Sequence, residues 1–214
     1  MTEPGPMICD GPEDAEFALI LAHGAGAPMD SPFMVAFAEG LAAAGQRVVR
    51  FEFPYMRARR GGRKPPPNRL PLLQECWLAA IAVLAEAGWP SRRLVIGGKS
   101  LGGRVASLVA DQAGVAGLVC LGYPFHPAGR PEKTRTEHLA ALATPTLIVQ
   151  GTRDTLGSRQ DVANYNLTSG IRMEWLEDGD HSFKPRRKSG RTEAENWQQG
   201  IDAVAAFVAD LNES

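Results

Sequence analysis

Six short apolar runs, alternating with stretches of helical spacing, constrain this chain more than any other feature. The runs cover residues 17–22, 47–53, 93–97, 117–121, 146–150 and 172–176. Near-continuous Ala, Val, Leu and Ile suit strands covered on both faces. Between the first two runs, Phe33, Phe37 and Leu41 recur at helical spacing. Asp30, Ser31 and Pro32 mark the start of that helix and Gly45 its end. A helix over about 71–87 puts Leu73, Cys76, Ala80, Ile81 and Leu84 on one face, and Gly88 stops it. A third carries Leu101, Val105, Leu108 and Gln112, and a fourth, over about 192–211, carries Trp197, Ile201, Val204 and Val208. This alternation predicts an α/β protein, a doubly wound, mostly parallel sheet of six or seven strands with helices on both faces. Residues 1–16, with three Pro and two Gly, read as a flexible leader that adds at most a short edge strand at 7–9. Residues 17–214 are expected to form one domain, without repeat or linker. The stretch 123–142 has room for a minimal lid only.

Composition narrows the function classes. The chain has 214 residues, 44% hydrophobic and 22% charged, with a net charge of −1. That balance gives no global reason to expect nucleic-acid or membrane binding. No apolar run approaches the roughly 20 residues that a spanning helix needs. Cys9, Cys76 and Cys120 show neither metal spacing nor an even disulfide framework, so Cys76 and Cys120 are expected as buried small hydrophobes. The opening residues lack the basic and apolar regions of a signal peptide, so the expected location is cytoplasmic.

In sheets of this kind, working residues lie on loops at the strand carboxyl ends. Reading only those ends leaves a short set. After the first run comes His23-Gly24-Ala25-Gly26. After the third comes Gly98-Lys99-Ser100-Leu101-Gly102, whose G-x-S-x-G spacing suits a serine raised on a sharp strand-to-helix bend. After the fifth comes Gly151-Thr152-Arg153-Asp154, and after the sixth, Asp178-Gly179-Asp180-His181-Ser182-Phe183. A serine, an acid and a histidine therefore follow in order, each beyond a different strand.

On these residues the chain resembles the α/β-hydrolase superfamily, near its small, almost lidless, dienelactone-hydrolase-like bacterial members. The stretches from Gly98 to Arg104 and from Gly122 to Pro127 carry the likeness to that branch most closely. The front of the chain departs from it, leaving little room for the usual first two strands. The resemblance implies a serine hydrolase, of carboxylesterase type, cleaving a small ester or thioester through an acyl-enzyme. Ser100 would be the nucleophile, His181 its base, and Asp154 the group that orients the imidazole. The backbone N–H groups of Ala25 and Leu101 would face the developing oxyanion. Asp178 and Asp180 are rival acids, although their closeness to His181 suits them to shaping its turn. No metal and no organic cofactor is implied, and a protein partner stays unspecified. A related domain occurs in a scaffold subunit of a eukaryotic histone acetyltransferase complex, so a non-catalytic interaction module is the alternative.

Two basic windows, residues 57–69 and 184–191, hold eleven of the 23 Lys and Arg and no Asp or Glu. Both leave strand carboxyl ends, which makes Arg57, Arg60 and Lys184 candidates for binding an anionic substrate. Aromatics spaced for base stacking are missing from them, so nucleic acid is not the expected ligand. His126 is a further candidate for the substrate edge. His23 is expected to brace its glycine loop, His138 to be exposed, and Lys99 to be solvated or ion-paired.

Overall fold

The computed structural model describes residues 4–213. In chain order the elements are β1 (Ile8–Asp10), β2 (Ala18–Ala22), α1 (Pro32–Ala43), β3 (Arg47–Phe51), α2 (Pro54–Arg60), α3 (Leu70–Glu86), β4 (Leu94–Lys99), α4 (Leu101–Ser107), α5 (Ala110–Ala113), β5 (Gly117–Leu121), β6 (Thr146–Gly151), α6 (Arg159–Val162), β7 (Ile171–Leu176) and α7 (Glu193–Asp210). They build a seven-stranded sheet in the order β1-β3-β2-β4-β5-β6-β7. Only β1 runs antiparallel, against β3; all other pairs are parallel.

Alternate residues of the buried strands feed two cores. Ile20, Phe51, Ile96 and Cys120 pack with Trp77 and Ile81 of α3 and Val105 of α4 on one face. Leu19, Val48, Val119 and Val149 pack with Phe37 of α1 and Val204 of α7 on the other. Burial on both faces is why these strands read as unbroken apolar runs. Helix starts follow local chemistry. Ser31 is extended (ψ 153°) before Pro32, whose ring fixes φ for the first helical turn. At α7, Thr192 and Glu195 exchange bonds as a capping box.

Four expectations need correcting. The segment before β2 is not a loose leader along its described length. It supplies β1, one residue later than expected, and is tied down where Arg50 Nη2 meets Asp10 Oδ2 at 2.9 Å. Arg93 adds bonds to the carbonyls of Ala15 and Glu16. The first basic window is not all loop: Pro54–Arg60 forms α2, started by Pro54 and buried through Tyr55 and Met56. The helix after Ser100 breaks in two. Leu108 and Val109 bond back three residues rather than four, and Ser107 Oγ bonds the Arg104 carbonyl, so α4 tightens and ends. His138 is half-buried, with Nε2 at 2.8 Å from Ser107 Oγ, and burial lowers its pKa.

From β2 the chain winds outward to β3, then returns to lay β4 on the other side of β2. The loops after β2 and β4 therefore part company, leaving a crevice at their carboxyl ends. Between β5 and β6 the described chain forms one short 3-10 turn and no longer helix, as a minimal lid requires.

Candidate active site

The bend after β4 is sharp because the sequence leaves it no alternative. Ser100 has φ 51° and ψ −109°, a region that L-residues rarely occupy. The neighbours make it possible. A Cβ on Gly98 would lie 2.0 Å from the Ala22 carbonyl oxygen, and one on Gly102 would lie 2.3 Å from the same atom. Strand β2 and helix α4 can approach only because both positions are glycine. The Ser100 N–H donates to Leu121 O (3.0 Å), and its carbonyl accepts from Arg104 N (2.9 Å), so strand and helix both hold the strained residue.

Three side chains from different loops meet here. His181 Nε2 lies 2.9 Å from Ser100 Oγ, and His181 Nδ1 lies 2.7 Å from Asp154 Oδ2. Asp154 is fully buried, and its other oxygen accepts from the Leu156 N–H (2.8 Å). The rival acids are occupied elsewhere. Asp178 is held by Arg186 and by Arg153, which pull its pKa down to about 2. Asp180 Oδ1 accepts from the N–H groups of Ser182 and Lys184, closing the turn that carries His181.

A cavity of about 410 Å³ opens beside Ser100, bordered by Gly24, Ala25, Phe33, Lys99, Leu156 and His181 among others. Ala25 is thus at the cavity wall, next to Gly24 and Gly26. Leu101 opens α4, where a first-turn N–H has no intrahelical partner. His23 is buried and accepts from the Phe53 N–H at Nε2 (3.2 Å), so its proton sits on Nδ1, directed at Gly24 O (2.7 Å). Desolvation lowers its pKa. It braces the glycine loop.

The four substrate-binding candidates do not border this cavity. Arg60 is committed to Glu52 and Asp30, with bonds of 2.7–2.8 Å. Arg57 packs against Gly5. Lys184 closes the Asp180 turn through its backbone. His126 is buried with Nδ1 at 2.9 Å from Pro127 O and Nε2 at 3.6 Å from Asp161. In the second basic window, Arg186 and Arg191 are likewise engaged, by Asp178 and by Asn196 and Gln199.

One residue of the site escaped the sequence reading and another differs from its expectation. Gln150, buried at the end of β6, donates to Asp154 Oδ2 and Gly157 O (both 3.0 Å) and accepts from the Tyr123 N–H (2.7 Å). A lone amide in an otherwise apolar strand was the available signal. Lys99, expected as solvated or ion-paired, stands at the cavity edge with its ammonium turned to a backbone carbonyl. It is half-buried, makes no carboxylate contact within 4 Å among the described residues, and donates to the His181 carbonyl.

Solved structures share this architecture. A serine hydrolase homologue from Coxiella burnetii is 21% identical, with 95% of this chain and 94% of that one covered and a TM-score of 0.70. A serine hydrolase without lid from Xanthomonas campestris is also 21% identical, covering 95% and 93%, at a TM-score of 0.67. Dienelactone hydrolase from Anabaena variabilis is 21% identical as well, covering 95% and 88%, at 0.66. These likenesses concern the fold. The family model of the alpha/beta hydrolase domain matches residues 15–209, nearly the whole chain, and on that match the protein belongs to this family.

Proposed function

We propose that the protein is a serine hydrolase that cleaves a small ester or thioester through an acyl-enzyme. One observation carries the reading: the unbroken hydrogen-bonded series from Ser100 Oγ through His181 to Asp154, beside an open cavity. With Nδ1–H directed at the buried carboxylate, His181 Nε2 is left as the acceptor for the serine proton. Ser100 Oγ attacks the substrate carbonyl carbon as its proton passes to Nε2. The carbonyl π electrons move onto oxygen, facing the N–H groups of Ala25 and Leu101. Each such donor is worth on the order of 3 kcal/mol in the transition state. The tetrahedral adduct collapses, and Nε2 returns the proton to the departing alcohol or thiol. Water repeats the sequence on the acyl-serine, giving the acid and restoring Ser100.

The scheme uses only protein groups and water. An anionic acyl group loses the argument that suggested it, because Arg57, Arg60 and Lys184 lie off the cavity. The free cysteines suit a reducing, cytoplasmic setting for this chemistry. The interaction-module alternative is the weaker reading, since a scaffold has no use for a buried acid aligned behind a histidine and a strained serine.

Labelling by a fluorophosphonate probe tests the proposal. The expected outcome is stoichiometric labelling of the wild type and its loss in Ser100→Ala and His181→Ala. A well-folded wild type that does not label would turn the assignment toward the module.

A further inference from the structure

Lys99 lies immediately before the strained serine, yet its side chain reaches away to the loop that carries the base. Its Nζ donates to the backbone carbonyl of His181. Two aromatic rings flank the ammonium, Phe33 of α1 at 5.3 Å and Phe183 of the histidine loop at 5.4 Å from ring centroids. Both distances fall within cation–π range. The path exists only because position 122 is glycine. A Cβ there would sit 2.6 Å from Lys99 Nζ, 3.1 Å from His181 O and 3.4 Å from His181 Nδ1. Gly122 also holds φ +69°, which favours glycine independently. Among the described residues this half-buried ammonium has no carboxylate within 4 Å, a costly state, and it donates to the residue whose ring must stay aligned.

We propose that Lys99 is a positioning residue that clasps the His181 carbonyl and thereby fixes the imidazole between Asp154 and Ser100. This rests on the triad reading above. The elbow then controls both partners of the first proton transfer, presenting the nucleophile through its backbone and the base through its preceding side chain. Burial pushes the Lys99 pKa down to about 8, against the upward pull of Asp154 and Asp180. Among the described residues, those two carboxylates and the His181 imidazole are the titratable groups facing it; the rings from α1 and the histidine loop are neutral. Below pH 8 the clasp is a charged donor between two π faces. Above it, the amine keeps an N–H but loses the charge that strengthens both contacts. The base loop therefore slackens as pH rises through about 8.

Lys99→Met tests this, because an apolar stem of similar length removes the donor and relieves the desolvation that the ammonium suffers. Circular dichroism checks that the variant folds. Two readouts are followed with pH in both proteins: the His181 ring resonances by nitrogen-15 NMR, and the rate of fluorophosphonate labelling. In the wild type the ring resonances should inflect near pH 8 and labelling should decline above it. In Lys99→Met both features should vanish, and labelling at pH 7 should slow by about tenfold or more, the scale expected when a reacting group loses its alignment. Gly122→Ala, which drives a methyl against Nζ, should slow labelling similarly. Ring resonances that titrate alike in wild type and Lys99→Met, or equal labelling rates, overturn the clasp. Should the wild type not label at all, the hydrolase reading fails and the ring resonances alone decide whether Lys99 holds His181.

Discussion

At the scale of single residues, the acid of the candidate triad depends on an amide that does no chemistry. Gln150 shares Asp154 Oδ2 with His181, and the same amide group stitches the Tyr123 and Gly157 backbones together. A hydrogen bond to a charged group contributes about 1.5–3 kcal/mol, which corresponds to roughly ten- to hundredfold in rate if it is spent on alignment. Gln150→Leu should therefore lower kcat on a p-nitrophenyl ester by about that factor, with KM little changed, as steady-state kinetics can establish. Ser100, Asp154 and His181 could be picked out of the sequence because each stands just past a strand. Gln150 and Lys99 could not, because both lie within strands, where a polar side chain declares its partner only once neighbouring strands are in register. The arginines misled for a related reason. Their sequence windows hold no acid, but Glu52, Asp30 and Asp178 reach them from outside.

Elements show how much local pattern can carry. The strands were legible because a parallel, doubly covered sheet demands unbroken apolar runs. Helix α2 was not, since Pro54–Arg60 buries only Tyr55 and Met56 and otherwise reads as basic loop. The break between α4 and α5 was hidden as well, because Leu101, Val105, Leu108 and Gln112 continue the helical spacing across it. The strand-to-helix bend is the least replaceable element. A methyl at Gly98 would overlap the Ala22 carbonyl, and its φ of +145° is closed to alanine. Gly98→Ala should lose about 3 kcal/mol or more of stability in urea unfolding. A loss under 1 kcal/mol would mean that β2 can retreat at little cost.

For the molecule as a whole, the turn behind His181 sets a limit on acid stability. Asp178 is held by Arg186 and Arg153 with its pKa lowered from 3.8 to about 2. Because the folded value lies below the unfolded one, the stabilisation is complete above about pH 4 and fades as pH falls toward 2. Wild-type Tm should drop across that window, and Asp178→Asn should show a lower Tm at pH 7 with a shallower acid decline. An equal decline in both would assign the acid limb to other carboxylates.

The walls of the cavity come from positions as far apart as Gly24 and His181, gathered at the point where the winding reverses between β2 and β4. Neither half of the chain, cut anywhere between those positions, contains a working remnant of the site. Probe labelling thus doubles as an all-or-nothing gauge of assembly: a refolding sample should regain it only when the central strands and the distal histidine turn have come together.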